Sequence, residues 1–439
     1  MTKISRRNLI IGAGAGAVAT TSFGTFAIAQ GAGAGRVVVI GGGAGGASVA
    51  RALKLGAPAL RVTLIEPNRI YSSSFFSNLY LGGFRPFASL NHNYDGLGRL
   101  GITVVHQRAT AVDTAKKTVR TSGGQTLAYD KLVVSPGIDI KYDSVPGYST
   151  GAASGRAPHA YTTDGPSKQH LKRLIDQMPN GGTVAMVMPN NPYRCPPGPY
   201  ERAAMIAHYL KTRKPKSRIV ILDPKKAFSK QPLFVEAFNK YYKDVLELNL
   251  SNDIDDFSVT SFDLKSREIT TKAGKKVKFD VANVIPQQSA GKIALSTGLA
   301  KGDWCPVNPE NFASALVKDV YVLGDATIAA EMPKSAFSAN SQAKVAASDI
   351  LADLAKGERF PARFRNTCWS LLAPDDNVKI GANYTAKGGK LEPSGSFISK
   401  PGEDAATRAQ NYQESIGWYA SIVADMFGGP PATASKKRG

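Results

Sequence analysis

An α/β chain with two doubly wound units and a smaller α+β unit behind them is predicted by three observations. Residues Arg36 to Asn68 (RVVVIGGGAGGASVARALKLGAPALRVTLIEPN) read as a strand, a glycine turn, a helix and a second strand. A comparable alternation restarts at Gly181 with GGTVAMVMP, and Arg218 to Asp223 supplies its next parallel-type strand. Further on, Val320 to Ala326 (VYVLGDA) is a strand ending in Gly-Asp that returns the chain to the first unit. Short apolar runs between helical stretches suit parallel strands buried on both faces. At 439 residues with 43% apolar content the chain is too long for one core. The expected organisation is a discontinuous dinucleotide-binding domain over 30–147 and 287–358, and a second Rossmann-like domain over 148–286. A C-terminal α+β domain over 359–430 and a flexible tail over 431–439 follow.

The first unit carries the strongest local signal. Val37 to Ile40 form an apolar strand, and Gly41, Gly43 and Gly46 then fall in GxGxxG spacing. Gly41 permits the tight turn, Gly43 lets a pyrophosphate approach the backbone, and Gly46 lets the helix pack against the strand, with its first amides aimed at the phosphates. Glu66 ends the second strand, 20 residues past Gly46, where a carboxylate accepts both hydroxyls of an adenosine ribose and disfavours a 2′-phosphate. The expectation is an adenine dinucleotide.

Ahead of this unit, Ser5-Arg6-Arg7-Asn8-Leu9 precedes a mildly apolar stretch, Ile10 to Phe26, and an Ala27-Ile28-Ala29 cleavage site. Residues 1–29 resemble a twin-arginine export signal, which implies a periplasmic protein exported already folded. The formal charge is +21, and removing those residues takes away Lys3, Arg6 and Arg7 but no acid, so the mature chain stays strongly basic. Such a field can steer an acidic partner or concentrate a small anion. The basic residues are spread along the chain without a nucleic-acid module or aromatic platform, which argues against nucleic acid. After residue 30 no stretch is apolar enough to span a bilayer. There are three cysteines, Cys195, Cys305 and Cys368, which allow three pairings with one thiol left over. The sequence has no CxxCH haem-attachment motif, and no Cys/His cluster has metal-ligand spacing, so no metal site is expected and any haem belongs to another chain.

Past the second strand, Tyr71 to Gly83 reads as a polar and aromatic loop able to line the cofactor. Short strands are expected at Thr103 to Val105 and Lys117 to Thr121, and Tyr129 to Gly137 gives another strand ending in small residues. The second unit opens with a helix around Ser167 to Met178. Where a nicotinamide reductase needs a second glycine turn, this chain has Asn190-Asn191-Pro192-Tyr193-Arg194-Cys195-Pro196-Pro197-Gly198-Pro199-Tyr200-Glu201. Prolines remove amide donors and stiffen the backbone, so this slot is expected to be closed to NAD(P)H. A helix follows from about Pro199 to Lys211, and Asp280 to Pro286 is read as a strand leading out of the unit. At the C-terminal end, strand-like stretches at Asn377 to Tyr384 and Ser396 to Ser399 precede a helix over Ala405 to Phe427. Its stripe of Ile416, Tyr419, Val423 and Met426 reads as core or dimer seam.

In two-dinucleotide flavoproteins, which the two halves resemble, the aspartate of the Gly-Asp strand holds the ribityl chain of FAD; here it is Asp325. The segment Met332 to Ala347 is expected to give the helix whose positive end, helped by Lys334, faces the flavin pyrimidine edge. The cradle, the Gly324-Asp325 strand and two cysteine contexts, Arg194-Cys195-Pro196-Pro197-Gly198-Pro199-Tyr200-Glu201 and Asn366-Thr367-Cys368-Trp369-Ser370-Leu371, together resemble the flavoprotein subunit of flavocytochrome c sulfide dehydrogenases. The resemblance runs from about Arg36 to Phe427. It implies a redox disulfide between Cys195 and Cys368 beside FAD, an active-site glutamate at Glu201, an aromatic near the flavin at Trp418, and Cys305 outside the centre. It also implies sulfide as substrate and a c-type cytochrome as electron acceptor. Covalent members attach FAD through a cysteine in the loop after the second strand; Ser74 stands there in this chain, so noncovalent FAD is expected. The competing expectations are a sulfide:quinone oxidoreductase, an NAD(P)H-dependent disulfide or persulfide reductase, and a noncatalytic flavin-binding, cytochrome-docking subunit.

Overall fold

Two parallel sheets are built as the apolar runs dictate. The computed structural model describes residues 35–253 and 255–428; the segment 1–29 read as an export signal and the expected tail over 431–439 lie outside the described residues. In the first sheet Arg36–Ile40 lies at the centre, with Arg61–Ile65 and then Thr103–Val105 on one side, and Lys131–Val134 and then Val320–Val322 on the other. Val37, Val39, Leu64 and Val133 are fully buried, as a sheet covered on both faces requires. The second sheet runs Leu246–Leu250, Arg218–Asp223, Thr183–Val187, Val281–Val284, again all parallel.

The chain passes between the two units through a narrow ribbon. Ile138–Ile140 leads out and Gln288–Ala290 leads back, paired antiparallel with Ile138 opposite Ala290. Val281–Val284 is not a free connector but the edge strand of the second sheet, in register with Thr183–Val187; the chain leaves after it. The helix expected around Ser167 to Met178 spans Gly165–Gln177, with Asp164 capping it by accepting from Ser167 N. The next one spans Gly198–Arg213.

The C-terminal layer is a three-stranded antiparallel sheet, Phe364–Ala373, Asp376–Lys387 and Lys390–Ile398, with the Ala405–Phe427 helix against it. Two departures from the sequence reading matter for the site. Phe364–Ala373, the strand that carries Cys368, has no period-two pattern, because Asn366, Thr367 and Ser370 are buried beside apolar neighbours. The segment after the second strand is partly ordered into Ile70–Ser72 and a short helix, Ser77–Leu81. On the C-terminal helix the buried line is Asn411, Ser415, Tyr419, Ile422 and Met426, rotated slightly from the stripe expected, with Ile416 and Val423 only half-buried. Among the described residues no helix is long and apolar enough to cross a membrane.

Candidate functional site: a dinucleotide cradle that ends at two cysteines

All three layers meet around one cavity of about 1670 Å³, its open mouth included. At one end lies the glycine turn. Gly41 has φ +96°, and a Cβ there would lie 2.2 Å from the Ser135 carbonyl oxygen. A Cβ on Gly46 would lie 1.8 Å from the Gly41 carbonyl oxygen, so the helix Ala44–Gly56 can approach the strand only without one. Gly43, by contrast, has nothing nearer than a Tyr71 ring carbon at 3.8 Å and leaves the backbone open to the cavity. Glu66 braces the turn: one carboxylate oxygen accepts from Gly42 N at 2.8 Å, the other from Asn68 N and Nδ2 at 2.9 and 2.8 Å.

Midway along the cavity is Asp325. Its Oδ1 is buried and has no hydrogen-bond partner among the described residues, and burial pushes its carboxyl above the ordinary range. An unpaired buried carboxylate oxygen is costly unless a ligand hydroxyl reaches it. This orphan, the open glycine cradle and Glu66 fit FAD, and FAD is the cofactor of this fold. Ser335 caps the helix Ala336–Ala355 by accepting from Ser338 N at 3.0 Å, so the helix starts at Ala336 and its first residues line the cavity.

Lys334 sits differently from its expected role. Its ammonium donates to the carbonyls of Asp325 and Thr327 at 2.9 and 2.6 Å and lies 3.7 Å above the Trp304 ring, so it is not among the cavity-lining side chains. Its backbone does contribute, because the Lys334 carbonyl accepts from Cys195 N at 2.7 Å. Ser74 lines the cavity and donates to the Thr162 carbonyl at 2.9 Å. Trp418 also lines it, stacked on Phe337 at 5.9 Å and 4° and close to Trp369 at 5.5 Å.

Two of the three cysteines border the same cavity. Cys195 and Cys368 both line the cavity, as free thiols. Cys195 adopts φ +56° just before the helix Gly198–Arg213; a Cβ at Gly198 would lie 2.9 Å from its sulfur. Cys368 comes from the C-terminal sheet, with Asn366 Nδ2 donating toward its sulfur at 3.5 Å. Burial pushes the Cys195 thiol up to about 12, with the charge of Cys368 adding to it. Burial also raises Cys368, but the Lys230 ammonium opposes the rise. Cys305 is fully buried and lies outside the cavity lining.

Glu201, in the first turn of the Gly198–Arg213 helix, lines the same cavity. Its carboxylate accepts from Asn78 Nδ2 at 2.7 Å and from Leu371 N at 2.9 Å, and burial lifts it above the ordinary carboxylate range. Such a group can hold and release a proton nearer neutrality than an exposed glutamate. The structure thus brings Cys195, Cys368, Glu201, Glu66, Asp325, Trp418 and the glycine turn to one cavity.

Sequence reasoning missed three side chains here. Arg202 is buried and donates to Asn78 Oδ1, Asn283 Oδ1 and the carbonyls of His159 and Ala160. Asn377 lines the cavity with its Oδ1 buried and unpartnered among the described residues. Lys230 donates to the Cys368 carbonyl at 3.2 Å and to Ser370 Oγ at 2.7 Å. Arg202 had a signal, being next to Glu201; Lys230 had none, being 138 residues from Cys368.

In the second unit the acid at the end of the second strand is engaged within the chain. Asp223 ends the second strand of its unit as Glu66 follows that of the first, yet it accepts from Tyr200 Oη at 2.5 Å, Lys225 Nζ at 2.7 Å and Lys225 N at 3.0 Å. The Tyr200 ring lies on Phe228 with centroids 3.6 Å apart, over the start of the helix.

The model for the central part of the sulfide dehydrogenase (flavocytochrome c) flavoprotein chain matches residues 168–286, and the model for the flavin-binding part of flavocytochrome c sulphide dehydrogenase matches 361–427. A pyridine nucleotide-disulphide oxidoreductase model matches 35–176. The chain is 22% identical over 303 residues to the mitochondrial sulfide:quinone oxidoreductase of Mus musculus, covering 66% of this chain and 65% of that one. It is 51% identical over 43 residues to the sulfide dehydrogenase (flavocytochrome c) flavoprotein chain of Chlorobaculum thiosulfatiphilum, which is 10% of this chain and 90% of that sequence. The fold is similar to the sulfide:quinone oxidoreductase of Aquifex aeolicus, with a TM-score of 0.68 at 18% identity over 90% of this chain and 93% of that one. With its cradle, its two cavity cysteines and these matches, the chain belongs to the family of flavocytochrome c sulfide dehydrogenase flavoproteins.

Proposed function

We propose that this protein is the FAD-dependent catalytic subunit of a periplasmic sulfide dehydrogenase, oxidising hydrosulfide at a Cys195–Cys368 disulfide and passing electrons to a c-type cytochrome. The observation that carries the reading is the convergence of Cys195, Cys368 and Glu201, from two different layers, on the cavity that the glycine cradle opens. Hydrosulfide is a soft nucleophile, and a buried disulfide facing a cavity is its natural target. The attack forms a new S–S bond and breaks the Cys195–Cys368 bond. One cysteine is left as a persulfide and the other as a thiolate, so atoms and electrons balance. Glu201 takes or returns the proton of the incoming sulfur species. The flavin, bound noncovalently past Ser74, supplies an acceptor for two electrons that can release them singly. When FAD is bound, Gly41 to Gly46 and Glu66 would hold its adenosine and pyrophosphate end and Asp325 its ribityl chain, with Trp418 an aromatic side chain for its ring.

Two features support a protein electron acceptor. In the second unit Asp223 is already engaged by Tyr200 and Lys225, which disfavours NAD(P)H, and the chain without residues 1–29, at 21 − 3 = +18, suits an acidic partner. The twin-arginine-like segment supports the periplasmic location. A second reading, reduction of a quinone, is favoured by the half-buried Phe337, Trp369 and Trp418 that line the cavity. Anaerobic titration of the holoprotein with sulfide tests the proposal. Flavin absorbance should bleach in the wild type but not in Cys195→Ser that still binds FAD, and cytochrome c should restore it. Bleaching undiminished in Cys195→Ser contradicts the disulfide route; recovery with a soluble quinone but not cytochrome c favours the second reading.

A further inference from the structure

We propose that Lys230 is a positioning residue that decides where charge goes when the cysteine pair opens: its ammonium holds the negative charge on Cys368, so the incoming hydrosulfide attacks Cys195. The inference rests on the sulfide reading above and assigns the two sulfurs unequal parts.

The geometry is asymmetric. Lys230 ends the turn before the helix Gln231–Tyr241, in a left-handed conformation of φ +63° that a lysine rarely adopts. The side chain is buried against the Cys368 strand, and it donates to the Cys368 carbonyl and to Ser370 Oγ. An ammonium has three protons, so one remains for a charge that develops beside it. Asn366 Nδ2 approaches the Cys368 sulfur at 3.5 Å, and Ser370, which Lys230 holds, lies two residues along the strand from Cys368 and so on the same face. The structure shows no comparable side-chain donor to the Cys195 sulfur among the described residues; the groups around Cys195 hold its backbone, with Lys334 O on its N–H and Tyr161 Oη on its carbonyl.

Every charged group that faces the pair bears on this assignment. Burial lowers Lys230 to about 8, against which the charges of Cys368, Glu201 and then Cys195 hold the proton on. On Cys368 burial is opposed first by Lys230, then by Asn366 and Ser335, with Glu201 acting the other way. On Cys195 burial dominates, Cys368 and Glu201 add to it, and Lys230 and Arg194 are the lesser opposing charges. Arg202 faces Cys195 and Glu201, and the Tyr384 phenol faces Cys368, held neutral by its own burial.

The step then has a direction. Hydrosulfide bonds to Cys195 Sγ, the Cys195–Cys368 bond breaks, and its electron pair leaves on Cys368 Sγ as a thiolate beside Lys230. The persulfide stands on Cys195, within the field of Glu201, and no further oxidant enters. In disulfide exchange the better-stabilised thiolate is the better leaving group.

The experiment measures thiol reactivity without sulfide. The holoprotein is reduced and alkylated with iodoacetamide across a pH series, and each cysteine is followed by peptide mass spectrometry. In the wild type Cys368 should react faster than Cys195. Lys230→Met should slow Cys368 about tenfold near pH 7, one unit's worth of lost thiolate, while Cys195, on which Lys230 is only a lesser charge, slows clearly less and Lys230→Arg restores the Cys368 rate. An equal Cys368 rate in Lys230→Met, with flavin still bound, overturns the assignment. Should Lys230→Met lose its flavin, the wild type alone decides, since Cys368 reacting no faster than Cys195 also overturns it. Because no sulfide is present, a protein that shows the asymmetry yet leaves its flavin oxidised with sulfide sinks the sulfide reading and not this one.

Discussion

Glu201 is where a single side chain carries a pH signature. Its ordinary value is 4.5, and burial raises it, so the folded protein keeps this proton into a range where the unfolded chain has lost it. Folding stability therefore falls as pH rises from about the unfolded value through the raised one, and Glu201→Gln should remove that slope in thermal melts. The same variant should lower the rate of sulfide-dependent flavin reduction by about 10²-fold and flatten its pH profile, as expected for a lost proton carrier. An unchanged profile would assign Glu201 a purely structural part as acceptor for Leu371 N and Asn78. At the other end of the cavity, Gly46→Ala places a methyl group 1.8 Å from the Gly41 carbonyl oxygen. It should cost about 1–3 kcal/mol by overpacking and weaken FAD retention, measured by denaturant unfolding and flavin release. The glycine spacing makes that position legible in the sequence, because the constraint is local. Cys195 and Glu201 share one short stretch, yet their roles are read only through the resemblance. Cys368 comes only through resemblance, and Lys230 not at all, since tertiary folding alone brings residues 138 apart together.

At the scale of elements, the C-terminal layer delivers Cys368 and Trp418, so its attachment governs the site. Arg408 is the clasp. Its side chain is 5% exposed and donates to Glu403, Asp376 and Glu236 and to the Lys400 carbonyl, tying the Ala405–Phe427 helix to the sheet and to the Gln231–Tyr241 helix of the second unit. Arg408→Met leaves the half-buried Asp376 with Tyr241 Oη as its remaining partner and should cost about 2–3 kcal/mol. Denaturant unfolding monitored with flavin fluorescence should show release preceding global unfolding; a loss below about 1 kcal/mol, the scale of an exposed pair, would show that packing alone holds the layer. The helix is readable from its apolar spacing. The Phe364–Ala373 strand is not, because Asn366, Thr367 and Ser370 are buried polar residues that break the alternation, with Asn366 and Ser370 hydrogen-bonded beside Cys368. Asn366, for example, accepts from Ser335 Oγ at 2.6 Å, which joins the strand to the flavin-domain helix cap.

For the whole molecule, two units share the parallel-sheet plan, and the described cavity lies at the glycine turn of the first. The alternation of strands and helices forecasts both sheets and the return of the chain at Val320–Val322, since parallel pairing of buried strands leaves few alternatives. The proline turn predicts a second slot that does not take NAD(P)H, and the Asp223–Lys225–Tyr200 network, which composition does not reveal, agrees with that expectation. NADH should accordingly leave the flavin oxidised even in large excess, by stopped-flow absorbance; rapid reduction by NADH would reopen the pyridine-nucleotide reading. The sulfur centre itself sits where both units and the C-terminal layer meet. Its most direct test is non-reducing peptide mapping of the air-oxidised holoprotein before and after one equivalent of sulfide under anaerobic conditions. The account predicts a Cys195–Cys368 cross-linked peptide that sulfide converts into one cysteine peptide heavier by a sulfur atom and one free thiol. Sulfide that reduces the flavin while both cysteines are free and unmodified throughout would contradict it.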